Sequence, residues 1–212
     1  MAIFHLTDEK LHMFTDESAW IRDEIAKLAL PHGADVIDIG SSTRQLREVI
    51  QPHIHGNLFA PLLKRGMNIC YLDAKSGDGI DICCDITQPE TAFIQACTGR
   101  TFDLAICSSM LEHVRDIDRT LNNISLLLKK GGYLVLTVPE RYRHHGDPID
   151  TMYRPDPATL VQRVTTTLPD LRLITSASVR VDDRRYYRRL RLLRFLIPSL
   201  RWRQCCAIFK KH

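Results

Sequence analysis

The chain has 212 residues, of which 44% are hydrophobic and 25% charged, enough for one complete core but not for two domains of ordinary size. No apolar run approaches the roughly 20 residues that span a bilayer, and the N-terminal segment lacks the positive start and apolar stretch of a signal peptide. Seven cysteines, an odd number placed mostly inside apolar runs, favour reduced and buried thiols. We therefore expect a single domain over residues 1–212 in the cytoplasm.

The net charge of +4 is unevenly distributed. Residues 180–212 hold eleven Lys or Arg against two Asp, so the basic character belongs to the C-terminal segment. Within it, "RRYYRRLRLLRFLIPSLRWR" alternates arginines with large apolar residues and predicts a basic amphipathic insertion at about 182–203. Three interpretations remain open: a solvated arginine face, contact of 184–203 with an anionic membrane surface, or binding to RNA or another polyanion.

The first half of the chain predicts alternating helices and strands. Apolar residues recur at helical spacing over 16–30, and Pro31 with Gly33 ends that pattern. "DVIDIG" reads as a buried strand, and the mostly helical segment 43–66 is interrupted near Pro52 and Gly56. "MNICYLDA" and "DICCDI" are the next two strands, followed by the helix "PETAFIQAC".

The second half continues the alternation and then breaks it. "FDLAICSS" is the fourth strand, a helix over 116–130 ends at Gly131 and Gly132, and "YLVLTVP" is the fifth strand. A long polar loop over 140–157 precedes the helix "PATLVQRVTT", and the last two strands are "LRLITSAS" and "QCCAIFK". This order predicts an α/β, Rossmann-like doubly wound sheet of about seven strands, mostly parallel with an antiparallel last strand.

Acidic or polar residues stand where the early strands end. Asp38 with Gly40, then Asp73, Asp85 and Ser108 take these positions, and in a parallel sheet the strand ends meet at one ligand-binding edge. A carboxylate there can accept hydrogen bonds from both hydroxyls of a ribose or from an exocyclic amine, and apolar neighbours can sandwich a flat base. Any one of these residues alone could simply cap a helix or a turn. Their occurrence in order at four successive strand ends favours a ligand site instead.

The same positions resemble class I S-adenosylmethionine-dependent methyltransferases over most of the chain. "VIDIGSS" resembles the first motif of that superfamily, "ICYLDAK" its acidic second strand, "CCDIT" its adenine-contacting motif, and "LLKKGGYLVLTVP" its fifth-strand region. The resemblance implies the cofactor S-adenosyl-L-methionine. It also implies a set of cofactor-binding residues: Asp38, Gly40, Ser41, Asp73, Ala74, Asp85, Ile86, Cys107 and Ser108.

The sequence departs from the superfamily in the first turn, where Ser42 and Arg44 replace two glycines. S-adenosylmethionine has no pyrophosphate to be held against the turn, so the missing glycines argue against a dinucleotide rather than against this cofactor. We expect Arg44 to point outward or toward a carboxylate, with binding of the cofactor's own carboxylate as the alternative.

The methyl acceptor should bind beside the segments that follow the fourth and fifth strands. His113, in the phrase "SSMLEHV", is either a general base or a residue that orders the loop. The loop "RHHGDPIDTMYRPD" adds the candidate catalytic residues His145 and Asp147, with a salt-bridged structural turn as the alternative. We expect no metal ion, although His144, His145 and Asp147 are groups that bind divalent metals.

The motifs that the sequence lacks narrow the choice of methyl acceptor. No "NPPY" or "DPPY" follows the fourth strand, which disfavours base amines of DNA, and no Pro-Cys pair supports attack on a pyrimidine carbon. A hydroxyl of a small molecule, a sugar or a lipid-linked glycan is the favoured acceptor. The alternatives are a non-catalytic member that binds S-adenosylmethionine or a partner, and an RNA methyltransferase that uses the basic segment.

Overall fold

The computed structural model describes residues 13–146, 149–182 and 201–212. The helices are α1 (Thr15–Ile25), α2 (Pro52–Ile54), α3 (Ala60–Lys64), α4 (Glu90–Ala96), α5 (Ile117–Leu126) and α6 (Pro157–Thr167). Two π-helical turns, Leu46–Ile50 and His55–Phe59, lie on either side of α2, which begins at Pro52. Proline has no amide hydrogen to donate, so the predicted interruption of the helical segment falls at this residue.

Seven strands form one sheet in the order β3-β2-β1-β4-β5-β7-β6. The strands are β1 (Asp35–Ile39), β2 (Asn68–Asp73), β3 (Ile82–Cys83), β4 (Phe102–Ser108), β5 (Leu128–Arg141), β6 (Leu171–Arg180) and β7 (Arg203–Lys211). Strands β1 to β5 are parallel, and β7 lies antiparallel between β5 and β6. The predicted Rossmann-like sheet with an antiparallel last strand is confirmed.

The strand order reverses between β1 and β4, which places a crevice at the carboxyl ends of these two strands. Buried side chains form one apolar cluster on each face of the sheet, and α1 contributes Ile21 and Ile25 to the cluster that contains Val36 and Leu104. Both faces are therefore covered, as expected for strands with nearly continuous apolar runs.

The helix predicted over 116–130 ends earlier than expected, at Leu126, and β5 begins at Leu128. Gly131 and Gly132 therefore do not cap a helix but lie inside β5, where the pairing with β4 shifts register. A Cβ on Gly132 would lie 2.9 Å from the Lys129 carbonyl oxygen and 3.1 Å from that of Phe102. Close backbone approach at a bulge thus requires a glycine at 132, whereas the φ of +82° favours one at 131.

Most of the predicted basic insertion, residues 183–200, lies outside the described residues. At its end, Trp202 is buried against Phe14 and Tyr142, and Arg203 already belongs to β7. Among the described residues, no helix combines the length and apolar character that crossing a bilayer requires.

Candidate functional site

A cleft of about 840 Å³ opens at the carboxyl ends of the parallel strands. Six of the predicted cofactor-binding residues line it: Gly40, Asp73, Ala74, Asp85, Ile86 and Ser108. They converge because β1 is paired in register with both β2 and β4, so the strands end side by side. The volume lies within the range of small-molecule sites.

The turn after β1 has a backbone that favours glycine at two positions. Gly40 has φ +75°, and a Cβ on it would lie 3.2 Å from the Met110 Cγ. Ser42, where the superfamily carries a second glycine, also has a positive φ of 56°. A left-handed conformation costs an ordinary residue about 1–2 kcal/mol, so surrounding contacts must hold Ser42 in place.

Arg47 supplies contacts that hold this turn, and no local pattern in the sequence indicates that role. Its guanidinium donates to the carbonyl oxygens of Ser41 (3.1 Å), Ser42 and Gly79 (2.9 Å), and stacks 3.7 Å from the ring centre of Tyr71. The residue is only 2% exposed. The buried Arg47 guanidinium therefore stabilises the turn through several hydrogen bonds at once, which its planar set of donors allows.

Arg44 lies on the outer side of the same turn. Its side chain is 57% exposed, and its Nε lies 3.7 Å from an oxygen of Asp78. The structure therefore directs Arg44 outward and toward a carboxylate, as expected.

The two strand-end aspartates present their carboxylates at the cleft while bonding to nearby amides. Asp73 accepts hydrogen bonds from the amides of Ser42 (2.8 Å) and Lys75 (2.9 Å). Asp85 accepts from the amide and the hydroxyl of Thr87, both at 2.8 Å. Each carboxylate is thus oriented by the backbone and has lone pairs left for ribose hydroxyls or an adenine amine.

Three predicted residues lie beneath the cleft instead of on its wall: Asp38, Ser41 and Cys107, which are all buried. Burial raises the pKa of Asp38 to about 7, although the nearby Arg47 guanidinium opposes the shift. The Cys107 side chain belongs to the apolar cluster of one sheet face, because successive strand residues point to opposite sides. Contact with the cofactor stays a prediction for all nine residues, those on the wall as well as these three.

A buried polar network joins α1 to β5, to β7 and to the residue after β4, and no local sequence pattern predicts it. Glu17 of α1 accepts hydrogen bonds from Thr137, from Gln204 (2.8 Å) and from Ser109 (3.2 Å). Burial raises the pKa of Glu17, against the opposing effect of these hydrogen bonds. A glutamate in the first turn of an amphipathic helix resembles a surface residue in sequence, so only the tertiary structure reveals its partners.

The loop after β5 is fixed by Asp150. Its fully buried carboxylate accepts from Arg154 (2.6 Å) and from the amides of His145 (3.0 Å) and Met152 (2.8 Å). Burial opposes ionisation, but these donors outweigh it and lower the Asp150 pKa to about 2. The loop is thus a salt-bridged structure that also forms one wall of the cleft.

This loop brings His145 to the segment after β4. The rings of His113 and His145 are 5.0 Å apart, and both side chains line the cleft beside Glu112. Burial raises the pKa of Glu112 to about 8. These three side chains lie together in the cleft, and each can accept a proton or bind a metal ion. Asp147, the other predicted catalytic residue of this loop, lies outside the described residues.

Comparison with known proteins agrees with this geometry. A family model described as a methyltransferase domain matches residues 13–177. No curated protein matches the chain.

Solved methyltransferase structures share the fold at low sequence identity. The 1,6-didemethyltoxoflavin-N1-methyltransferase of Burkholderia thailandensis, with S-adenosylhomocysteine bound, is 15% identical with a TM-score of 0.54, covering 92% of this chain and 79% of its own. The N-methyltransferase NodS of Bradyrhizobium japonicum is 16% identical with a TM-score of 0.51, covering 97% and 93%. The magnesium protoporphyrin IX methyltransferase of Synechocystis, with S-adenosylmethionine bound, is 14% identical with a TM-score of 0.52, covering 94% and 89%.

The match to the family model covers most of the chain, and the fold agrees with it. The chain therefore belongs to this family of methyltransferase domains and is an S-adenosyl-L-methionine-dependent methyltransferase.

Proposed function

We propose that this enzyme transfers the methyl group of S-adenosyl-L-methionine to a hydroxyl oxygen of a small molecule, sugar or lipid-linked glycan. Methyl transfer from a sulfonium is an in-line displacement, so the enzyme must mainly align the acceptor with the methyl group. A hydroxyl acceptor must in addition lose its proton, which an imidazole can accept.

The observation that carries the proposal is the pair of imidazoles at the acceptor side of the cleft. His113 Nδ1 bonds to the carbonyl oxygen of Ile149, and His145 Nδ1 lies 3.1 Å from the Asp150 carboxylate. Both oxygens are acceptors, so each Nδ1 carries the proton and each Nε2 has a free lone pair. The acceptor side therefore offers groups that can receive a hydroxyl proton.

Methyl transfer to pooled acceptors tests this proposal. The enzyme is incubated with S-adenosylmethionine carrying an isotope-labelled methyl group and with separate pools of saccharides, phenols, lipid-linked glycans, RNA and amines. We expect labelled product from a hydroxyl pool, with the label on oxygen by mass spectrometric fragmentation. Label found only on nitrogen or carbon would overturn the proposal.

Two variants separate chemistry from binding in that assay. His113→Ala should slow transfer while leaving the affinity for S-adenosylhomocysteine unchanged, because the imidazole acts on the acceptor. His144→Ala, which alters a neighbouring cleft residue outside the His113–His145 pair, is the matched control and should retain activity. Binding of S-adenosylhomocysteine without transfer to any pool would favour the non-catalytic alternative.

We propose further that the enzyme acts in the cytoplasm, with peripheral contact at the inner membrane surface through residues 184–203. Six arginines stand among large apolar residues over 184–200 and support this choice, since both features favour an anionic bilayer surface. At the end of the segment, Trp202 is buried and Arg203 belongs to β7. Co-sedimentation with vesicles of anionic phospholipid, but not with neutral vesicles, is the expected result. Salt-dependent binding to RNA with no vesicle binding would favour the RNA alternative instead.

A further inference from the structure

The segments after β4 and β5 bring together three side chains that bind metals. Glu112 and His113 lie in a short 3₁₀ helix, Leu111–His113, and His145 lies on the loop after β5. One potential ligand atom from each of the three lies within 4.8 Å of the other two. The His113 Nε2 is 3.8 Å from a carboxylate oxygen of Glu112.

Glu112 lacks the partners that a buried carboxyl group requires. Its side chain is 0% exposed, and neither oxygen has a hydrogen-bond partner among the described residues. Burial of an unpaired carboxyl group is costly, and such a group in a native fold calls for a bound ion or water. The nearby cation does not meet this need, because the Arg154 guanidinium is paired with Asp150 at 2.6 Å.

The two histidines are oriented in the way that metal-binding histidines are. In known sites the ring nitrogen away from the metal donates to a carbonyl or carboxylate oxygen, which leaves the other nitrogen unprotonated for the ion. Ile149 supplies the carbonyl oxygen for His113, and Arg143 supplies one for His145 at 3.4 Å, with the Asp150 carboxylate 3.1 Å from the same nitrogen. The outer contacts of a metal site are therefore present on both rings.

We propose that Glu112, His113 and His145 bind a divalent transition-metal ion on the acceptor side of the cleft. Two imidazoles and one carboxylate suit zinc and the neighbouring first-row metals better than magnesium or calcium. Three protein ligands leave a coordination position open toward the cleft, where an acceptor hydroxyl can bind. With the ion bound, both imidazoles act as ligands, so the ion would promote loss of the hydroxyl proton to water in place of an imidazole that accepts it. The assignment of the acceptor oxygen rests on the proposed function, whereas ion binding itself does not.

Metal titration of the purified enzyme tests the site. The protein is dialysed against a chelator and then titrated with Zn²⁺ by calorimetry and with Co²⁺ by visible absorption, and bound metal is counted by mass spectrometry. We expect one ion per chain and a cobalt spectrum without thiolate charge transfer. Glu112→Gln, His113→Gln and His145→Gln should each weaken binding by about 100-fold or more.

His144→Gln is the matched control, because it removes a neighbouring imidazole that also lines the cleft, and it should bind metal like the wild type. Titration with S-adenosylhomocysteine on the same preparations identifies any variant that fails to fold. Absence of stoichiometric binding by the wild type, or unchanged binding in the three ligand variants, would overturn the metal site. Metal binding without methyl transfer to a hydroxyl would refute only the proposed function.

Discussion

Replacing Arg47 by methionine should destabilise the enzyme far more than the same replacement at Arg44. Arg47→Met removes three hydrogen bonds from a buried cation and leaves the carbonyl oxygens of Ser41, Ser42 and Gly79 without that donor. Each buried carbonyl oxygen left without a donor costs about 1–3 kcal/mol, so the total loss should be about 3 kcal/mol or more. Arg44→Met removes only an exposed ion pair at 3.7 Å, which is worth about 0–1 kcal/mol.

Urea unfolding of the two variants and the wild type measures this difference directly, since methionine keeps much of the aliphatic stem at both positions. Titration with S-adenosylhomocysteine should also show at least about tenfold weaker binding for Arg47→Met, equal to about 1.4 kcal/mol. The reason is that Arg47 holds the turn that contains Ser41 and Ser42. Equal free energies of unfolding in the two variants would refute the assignment of Arg47 as the support of this turn.

Two further predictions concern the strand that leads into the turn. Gly40→Ala should lower the free energy of unfolding by more than Gly33→Ala: both have a positive φ, but only at Gly40 does the new methyl group meet Met110. Equal losses by urea unfolding would argue against that contact. The second prediction concerns pH: the pKa of Asp38 is raised from 3.8 to about 7, so the folded state keeps a proton that the unfolded chain releases. Its contribution to stability should therefore fall as pH rises from about 4 to about 7, by at most about 4 kcal/mol. Asp38→Asn should remove this pH dependence, and parallel urea midpoints for the two proteins at pH 5 and pH 8 would contradict the buried placement.

The sheet and the cofactor side of the cleft could be predicted because both depend on local patterns. Each parallel strand is a short apolar run, and the residue that ends it must lie at the ligand-binding edge once the strands pair. Gly40, Asp73 and Asp85 follow from that rule alone. The placement of Asp38 and Cys107 beneath the cleft depends on side-chain direction within the strand, which the continuous apolar runs of a parallel sheet do not reveal.

The part of the cleft formed by the segments after β4 and β5 could be predicted only in part, because long-range contacts determine it. His113 and His145 were candidates, but Glu112 stood beside His113 without any local sign that it would be buried unpaired. Arg47 and Glu17 lie on helical segments, where charged residues usually face solvent. Their roles depend on partners as distant in sequence as Gly79 and Gln204, so no local pattern contains them.

The most direct test of the account is calorimetric titration of the wild type, Asp73→Ala and Asp78→Ala with S-adenosylhomocysteine. Asp73 lines the cleft and can accept from the ribose hydroxyls, whereas Asp78 is exposed and does not line it. Hydrogen bonds to a charged group contribute about 1.5–3 kcal/mol each, so Asp73→Ala should weaken binding by about tenfold or more. Asp78→Ala should bind like the wild type, and equal affinity of Asp73→Ala and the wild type would contradict the placement of the cofactor site.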